Sequence, residues 1–286
     1  MKKLLLSMLM CVMALGAAAQ AIKGDVNCDG TVNISDVSSL IDYLLGDRSQ
    51  TFDADNADTD LNGIVDIADV SSLIDYLLNG IWPWNEPQDN HEWVDLGLPS
   101  GTLWATCNVG ANAPEEYGDY FAWGETEPKD TCNWSTYKWC NGSSNTLTKY
   151  CTKSAYGILD NKDILEPKDD AAYVNWGKKW RMPTYDQMLE LKNKCTWRWT
   201  TQNGVKGRLV KGPNGASLFL PAAGSREDGS LSYASTYGDY WTRTIYSDIP
   251  YYACNVDFNS SNVQCVNTYF SRCYGLTVRA VRISQN

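Results

Sequence analysis

The sequence predicts two unlike folded units, a small all-α module of two loop–helix repeats followed by a larger α+β domain. Three observations predict this division. A string that begins at Asp25 recurs at Asp58, 33 residues on, and its stretch Asp36–Leu45 returns unchanged as Asp69–Leu78. Residues 24–80 hold twelve acids and one base (Arg48), a net of −11, whereas residues 81–286 hold 22 acids and 20 bases. All 12 tryptophans lie from Trp82 onward. Duplication, acidity and the absence of Trp stop together near residue 80, which marks a boundary between domains of different kinds.

Ahead of the module, the chain reads Met1-Lys2-Lys3, runs apolar from Leu4 to Leu15 and passes into Ala17-Ala18-Ala19-Gln20-Ala21. A short basic start, about a dozen apolar residues and a small-residue exit describe a cleavable export signal over residues 1–21, cut after Ala21 or Ala19. The run is too short for a membrane anchor. Met10 precedes Cys11, where a lipidated cysteine needs a small residue. With no second long apolar run, the mature chain is expected to be secreted or at the cell surface, without a transmembrane segment. An acidic protein has no electrostatic reason to bind nucleic acid.

Residues 22–80 make the module. Each repeat opens with a 12-residue loop whose oxygen-bearing residues fall at positions 1, 3, 5, 7 and 12: Asp25, Asn27, Asp29, Thr31 and Asp36, then Asp58, Asp60, Asn62, Ile64 and Asp69. Position 7 contributes a backbone carbonyl. That spacing suits a hard cation needing six to eight oxygens at ~2.3–2.6 Å, and it predicts two bound Ca2+. Position 9 is Asn33 in one loop and Asp66 in the other, so the second loop carries four carboxylates against three and is expected to bind tighter. Position 6 must turn sharply and is Gly30 and Gly63. Position 8 is Val32 and Val65, expected to pair through a short bridge. Behind each loop, Val37, Leu40, Ile41, Leu44, Leu45 and Val70, Leu73, Ile74, Leu77, Leu78 mark one face of a helix. No helix is expected ahead of either loop.

EF-hand-like loops that lack an entering helix and end in Asp, twice within about 60 residues, resemble a type I dockerin. The resemblance covers residues 24–80. It implies docking onto a cohesin-like domain of another protein, with recognition at loop positions 10 and 11, here Ile34, Ser35, Ile67 and Ala68. The familiar pattern places small hydroxyl residues there. A calcium-stabilised tag that packs on its own chain is the other reading of the same residues.

Residues 81–91, with two prolines and no periodicity, read as a linker, and residues 92–286 as one domain. Strand-like pieces lie at 102–108, 118–123, 208–211, 217–220, 253–258, 263–266 and 277–283. The turn Lys211–Ala216 predicts a hairpin. Helices are expected over 169–176 and 184–195, the second opened by a Thr184…Gln187 capping box. His91 is the single histidine and no Cys-x-x-Cys occurs, which argues against zinc and against His-based catalytic sets. Nine cysteines remain after the signal, and disulfides are expected, with at least one thiol left over.

Several strings, among them Trp93–Ala105, Tyr120–Glu125, Trp180–Thr184, Leu220–Gly224 and Arg272–Val281, together resemble the Fibrobacter succinogenes major paralogous domain. The resemblance spans residues 92–283 and implies a C-type-lectin-like fold and export. The segment 240–274 is rich in Tyr, Asn and Ser, a composition that supplies rigid aromatic area and adaptable hydrogen bonds. Tyr246, Tyr251, Tyr252, Asn255, Asp257, Asn259 and Asn262 are the candidate ligand-binding residues, for a glycan or a surface protein. Glu127-Pro-Lys129 and Glu166-Pro-Lys168 put lysine where a calcium-dependent sugar lectin has a metal ligand, so stacking on Tyr or Trp is the expected mode. Glu115, Glu116, Asp119, Glu125 and Glu127 are the carboxylates a glycosidase would draw on, and Cys265 with Cys273 the pair for formylglycine-type chemistry. No hydrolase fingerprint accompanies them, and no catalytic residue is assigned. The reading is a non-catalytic exported binding protein, with a structural component of a surface assembly as its alternative.

Overall fold

The computed structural model describes residues 22–85, 89–265 and 269–283. The expected export signal, residues 1–21, lies outside the described residues. The chain divides into two compact units, 1–77 and 78–286.

In the first unit, helix α1 (Ile34–Leu44) follows the first loop, α2 (Ala54–Ala57) is a single turn, and α3 (Ile67–Asn79) follows the second loop. α2 corrects the expectation that no helix precedes a loop, because Asp53 caps it through the Asn56 amide and the turn leads straight into Asp58. Val26, Val37, Leu40, Ala57, Val70 and Leu73 are buried and form its core. No bridge joins Val32 to Val65 among the described residues. The halves are tied instead by Gly24 N to Asn56 O (2.9 Å), Asp53 N to Val26 O (3.0 Å) and the Asn56 side-chain amide to Asp25 O (2.9 Å). The apolar helix faces are also only half buried. Val37, Leu40, Val70 and Leu73 go inside, whereas Ile41, Leu45, Ile74 and Leu78 stay exposed.

The second unit begins with strands β1 (Trp93–Asp95) and β2 (Thr102–Ala105). A long stretch of turns leads to helices α4 (Ala171–Trp176) and α5 (Tyr185–Lys194). The rest is mostly strand: β3 (Thr196–Gln202), β4 (Val205–Lys211), β5 (Ser217–Pro221), β6 (Ser225–Glu227), β7 (Ser230–Ser232), β8 (Gly238–Ile245), β9 (Tyr252–Phe258), β10 (Val263–Gln264), β11 (Tyr269–Ser271) and β12 (Val281–Ile283). They form an antiparallel sheet β1-β2-β12, a meander β3-β4-β5, a sheet in which β9 pairs with β8, β10 and β11, and the hairpin β6-β7. This is an α+β arrangement. The Lys211–Ser217 register confirms the hairpin at 211–216, and α5 carries the expected capping box, Thr184 with Gln187.

Part of the stretch 81–91 is packed within this unit. Ile81 is buried, His91 stacks on Trp176 at 3.7 Å, and Asp89 accepts from Trp180 Nε1 at 2.8 Å and Lys179 Nζ at 3.1 Å. The expected strand 118–123 is reduced to one bridge, Phe121 to Leu276. Its amides serve the closing segment instead, Trp123 N bonding Arg272 O at 2.8 Å. That closing segment carries two fully buried arginines. Arg272 is held by the carbonyls of Lys149, Tyr150 and Pro250 at 2.9–3.1 Å and by the Tyr137 hydroxyl at 2.8 Å, beneath the ring of Trp123. Arg279 donates to Asn108 Oδ1 at 2.8 Å and to the carbonyls of Ala105 and Thr106. All nine cysteines from Cys28 to Cys273 are free thiols, a correction to the expected disulfides. Cys265 and Cys273 sit in separate apolar clusters, where burial pushes both thiols up to about 12.

Candidate functional site

Each loop is built by its own carboxylates. In the first, Asp25 Oδ1 and Oδ2 accept from the amides of Asp29 and Gly30, both at 3.0 Å. Asp36 Oδ1 accepts from Val26 and Asn27, and Oδ2 from Asn33 at 2.8 Å. In the second, Asp69 Oδ1 accepts from Asp60 N at 3.1 Å and Oδ2 from Asp66 N at 2.9 Å. Asp36 and Asp69 are fully buried. Each therefore closes its loop and caps its helix at once. Asn33 and Asp66 return the capping bond to the amides of Ser35 (2.8 Å) and Ala68 (2.7 Å). Gly30 and Gly63 have φ of +86° and +83°, as position 6 requires, and position 4 is also left-handed, at Cys28 and Leu61 (both +62°).

The loops differ in what their oxygens lack. Oxygens of Asp58, Asp60 and Asp69 lie within 4.8 Å of one another. Asp58 Oδ2 takes the Gly63 amide at 3.3 Å, but Asp58 Oδ1 is shielded from solvent and has no hydrogen-bond partner among the described residues. Three converging carboxylates, one with an orphaned oxygen, repel each other unless a cation stands among them. A hard cation fits this donor set. The family model of the dockerin type I domain matches residues 23–78.

Residues 23–78 are a dockerin module. Dockerin domains bind calcium, and the module is non-catalytic. The comparison with curated proteins returned no match, and the comparison with solved structures returned none.

The module's predicted recognition residues open the two helices. Ile34 and Ile67, the first residues of α1 and α3, are each 69 % exposed. Ser35 and Ala68 beside them are exposed as well. About two and three turns on, Ile41 with Leu45 and Ile74 with Leu78 continue the exposed apolar residues. The duplicated sequence thus yields two equivalent apolar stripes that the module does not use for its own core.

On the large unit, the predicted ligand residues separate into three groups, with Asn255 buried apart from all of them. Tyr246, Tyr251 and Tyr252 come together, joined by Tyr269. Tyr246 stacks on Tyr269 at 4.4 Å, Tyr269 meets Tyr252 at 4.9 Å, and Tyr252 meets Tyr251 at 4.4 Å. Tyr156 and Trp134 extend this partly exposed strip from the far side of Tyr251. Asn259 and Asn262 instead build the β9–β10 turn. Asn259 Oδ1 takes the amides of Ser261 and Asn262, and their carbonyls hold Arg208. Asn255 is fully buried opposite Trp241 and takes no part in a surface.

Asp257 makes the third group, with a residue that the sequence reading missed. Asp239 on β8 stands directly across from Asp257 on β9. The two carboxylates, with Tyr233, Tyr237 and Phe270, line an open cavity of about 310 Å³. Asp239 is 3 % exposed, and burial, then the charge of Asp257, pushes its carboxyl up to about 7. Burial alone raises Asp257. No motif announces Asp239, because a single acid in Gly-Asp-Tyr-Trp looks like a turn residue until strand register supplies its partner.

The carboxylates considered for glycosidase chemistry have other duties. Glu125 pairs with Lys129 at 2.7 Å and accepts from Lys138 N, and Glu115 accepts from Gln202 and Asn203. Glu116 accepts the Asn112 amide, and Asp119 lines a separate cavity with Lys129 and Arg226. Glu127 is exposed. Glu166, in the second Glu-Pro-Lys string, is raised by burial but brought down to about 2 by Lys149 and Lys162, which bond it.

Proposed function

We propose that the protein is an exported, non-catalytic docking protein that joins a cohesin-type partner through its dockerin module and offers its large domain to a surface ligand. Two Ca2+ complete the module in this reading. Asp25, Asn27, Asp29 and Asp36, with the carbonyl of Thr31, hold one ion. Asp58, Asp60, Asn62 and Asp69, with the carbonyl of Ile64 and with Asp66 at position 9, hold the other. The ion's role is to neutralise converging carboxylates, so that the buried Asp36 and Asp69 keep capping their helices.

The observation that carries the docking reading is the pair of equivalent exposed stripes headed by Ile34 and Ile67. An apolar anchor with polar flanks is what a docking face needs at its centre. Two such faces related by duplication serve the same partner in either of two orientations. The tyrosine strip, Tyr246 with Tyr251, Tyr252 and Tyr269, is the corresponding face of the large domain and suits stacking against a glycan ring or a surface protein. A C-type-lectin-like fold belongs to this proposal, supported by the short-stranded α+β architecture.

The test is binding of the full chain to immobilised cohesin-type domains, in calcium and in chelator. Ile34→Asp or Ile67→Asp alone is expected to weaken binding less than tenfold, because the other face remains. Both together are expected to abolish it. Binding that persists in chelator, or a double variant that binds like the parent, would remove the reading.

A further inference from the structure

The cavity on the β8–β9 sheet is built around an unusual deficit. Gly238 has no room for a side chain, since a Cβ there would lie 2.2 Å from the Phe258 ring. The two strands therefore close up, and Asp239 falls opposite Asp257 with both side chains on one face. Among the described residues neither carboxylate receives a hydrogen bond, and no lysine, arginine or histidine moderates the charge of either. A side chain 97 % buried without a partner is costly, and two facing carboxylates cost more.

What surrounds them is aromatic. Tyr233 and Tyr237 meet at 5.7 Å and 73°, forming a corner, and Phe270 closes the side nearest β11. The corner is held in place by the backbone. Tyr233 and Ser235 sit at φ of +60° and +65°, and the Tyr233 carbonyl takes the amides of Thr236 and Tyr237. Residues other than glycine held in that region mark a loop whose shape is maintained at a cost.

We propose that this cavity binds an alkylammonium group, with Asp239 and Asp257 supplying the charge and Tyr233, Tyr237 and Phe270 the enclosing rings. Ring faces attract a diffuse organic cation within about 6 Å of their centroids. A hard metal ion would need six or more oxygens in place of those rings. A neutral sugar can stack there but leaves the carboxylate charge uncompensated. Asp239 is half protonated near neutral pH, so the incoming cation displaces a proton and affinity rises between about pH 5 and pH 8. Among the described residues, the ionisable groups that line the cavity with Asp239 are Asp257 on β9, whose carboxyl burial also raises, and Tyr233 and Tyr237 of the loop. The site lies on the opposite face of the sheet from Tyr252 and Tyr269, so its failure would leave the docking and tyrosine-strip reading intact.

The experiment is calorimetric titration of the full, calcium-saturated chain with choline chloride, with its uncharged carbon isostere 3,3-dimethyl-1-butanol, and with glucose. Choline binding, without binding of the other two, is the expected result. Asp239→Asn should weaken it at least tenfold and Tyr237→Ala roughly threefold or more. Tryptophan fluorescence establishes that each variant remains folded. Equal binding of choline and the isostere, glucose binding in its place, no choline binding, or choline binding unchanged in both variants would each overturn the assignment.

Discussion

Asp239→Asn isolates the energetic cost of the carboxylate pair. In the unfolded chain Asp239 ionises near ~3.9, whereas in the folded chain burial and Asp257 hold it protonated up to about 7. The folded state therefore binds a proton that the unfolded state releases. The stability this confers is full below ~3.9 and is lost as pH rises through about 7. At ~1.36 kcal/mol per pH unit the gap corresponds to about 4 kcal/mol, nearly all of it lost between pH 4 and pH 8.5. Asn keeps the shape and carries no charge at either pH, so the variant should gain on the parent by that amount as pH rises. For a domain of about 200 residues this is a rise in Tm of roughly 8–16 °C relative to the parent at pH 8.5, with little difference at pH 4. All 12 tryptophans lie from Trp82 onward, so fluorescence-detected melting of the full chain reports this domain alone. A difference between variant and parent that does not change with pH would refute the reasoning. So would a variant less stable at pH 8.5 than at pH 4 relative to the parent.

Two further outcomes are expected. Arg272→Lys should destabilise the large domain by about 3–5 kcal/mol, because one ammonium cannot satisfy the carbonyls of Lys149, Tyr150 and Pro250 together with the Tyr137 hydroxyl; denaturant unfolding followed by tryptophan fluorescence checks this. Asp58→Asn should weaken the tighter calcium site at least tenfold and leave the other within about threefold, as read by calcium titration calorimetry, since Asp58 belongs only to the second loop.

Much of the module was legible because its constraints are local. A 12-residue loop must place its oxygens, its glycine and its cap at fixed positions, so Gly30, Gly63, Asp36 and Asp69 could be read directly from spacing. The short helix Ala54–Ala57 escaped because four residues show no period and its cap, Asp53, is one acid among many. The helix faces were half misread for a different reason. Periodicity marks apolar residues but does not say whether this chain covers them, and Ile41 and Ile74 stay outside. In the large domain, α5 announced itself through Thr184 and Gln187. β8 did not, because it is buried along most of its length and so lacks polar alternation, and Gly238-Asp239 lowers its strand propensity. The tyrosines 246, 251 and 252 were found by composition, while Tyr269 joined them only through the β9–β11 register. Asp239 was invisible for the same reason, since a cross-strand partner is a fact of register and not of neighbourhood in the chain.

The measurement that tests the central claim most directly is a calcium titration of the full chain with helix content followed by far-ultraviolet circular dichroism. The account predicts two sites, the tighter one removed by Asp58→Asn, with loss of the α1 and α3 signal in chelator and an unchanged tryptophan spectrum from the large domain. Full helicity in chelator, or calcium uptake indifferent to Asp58, would contradict it.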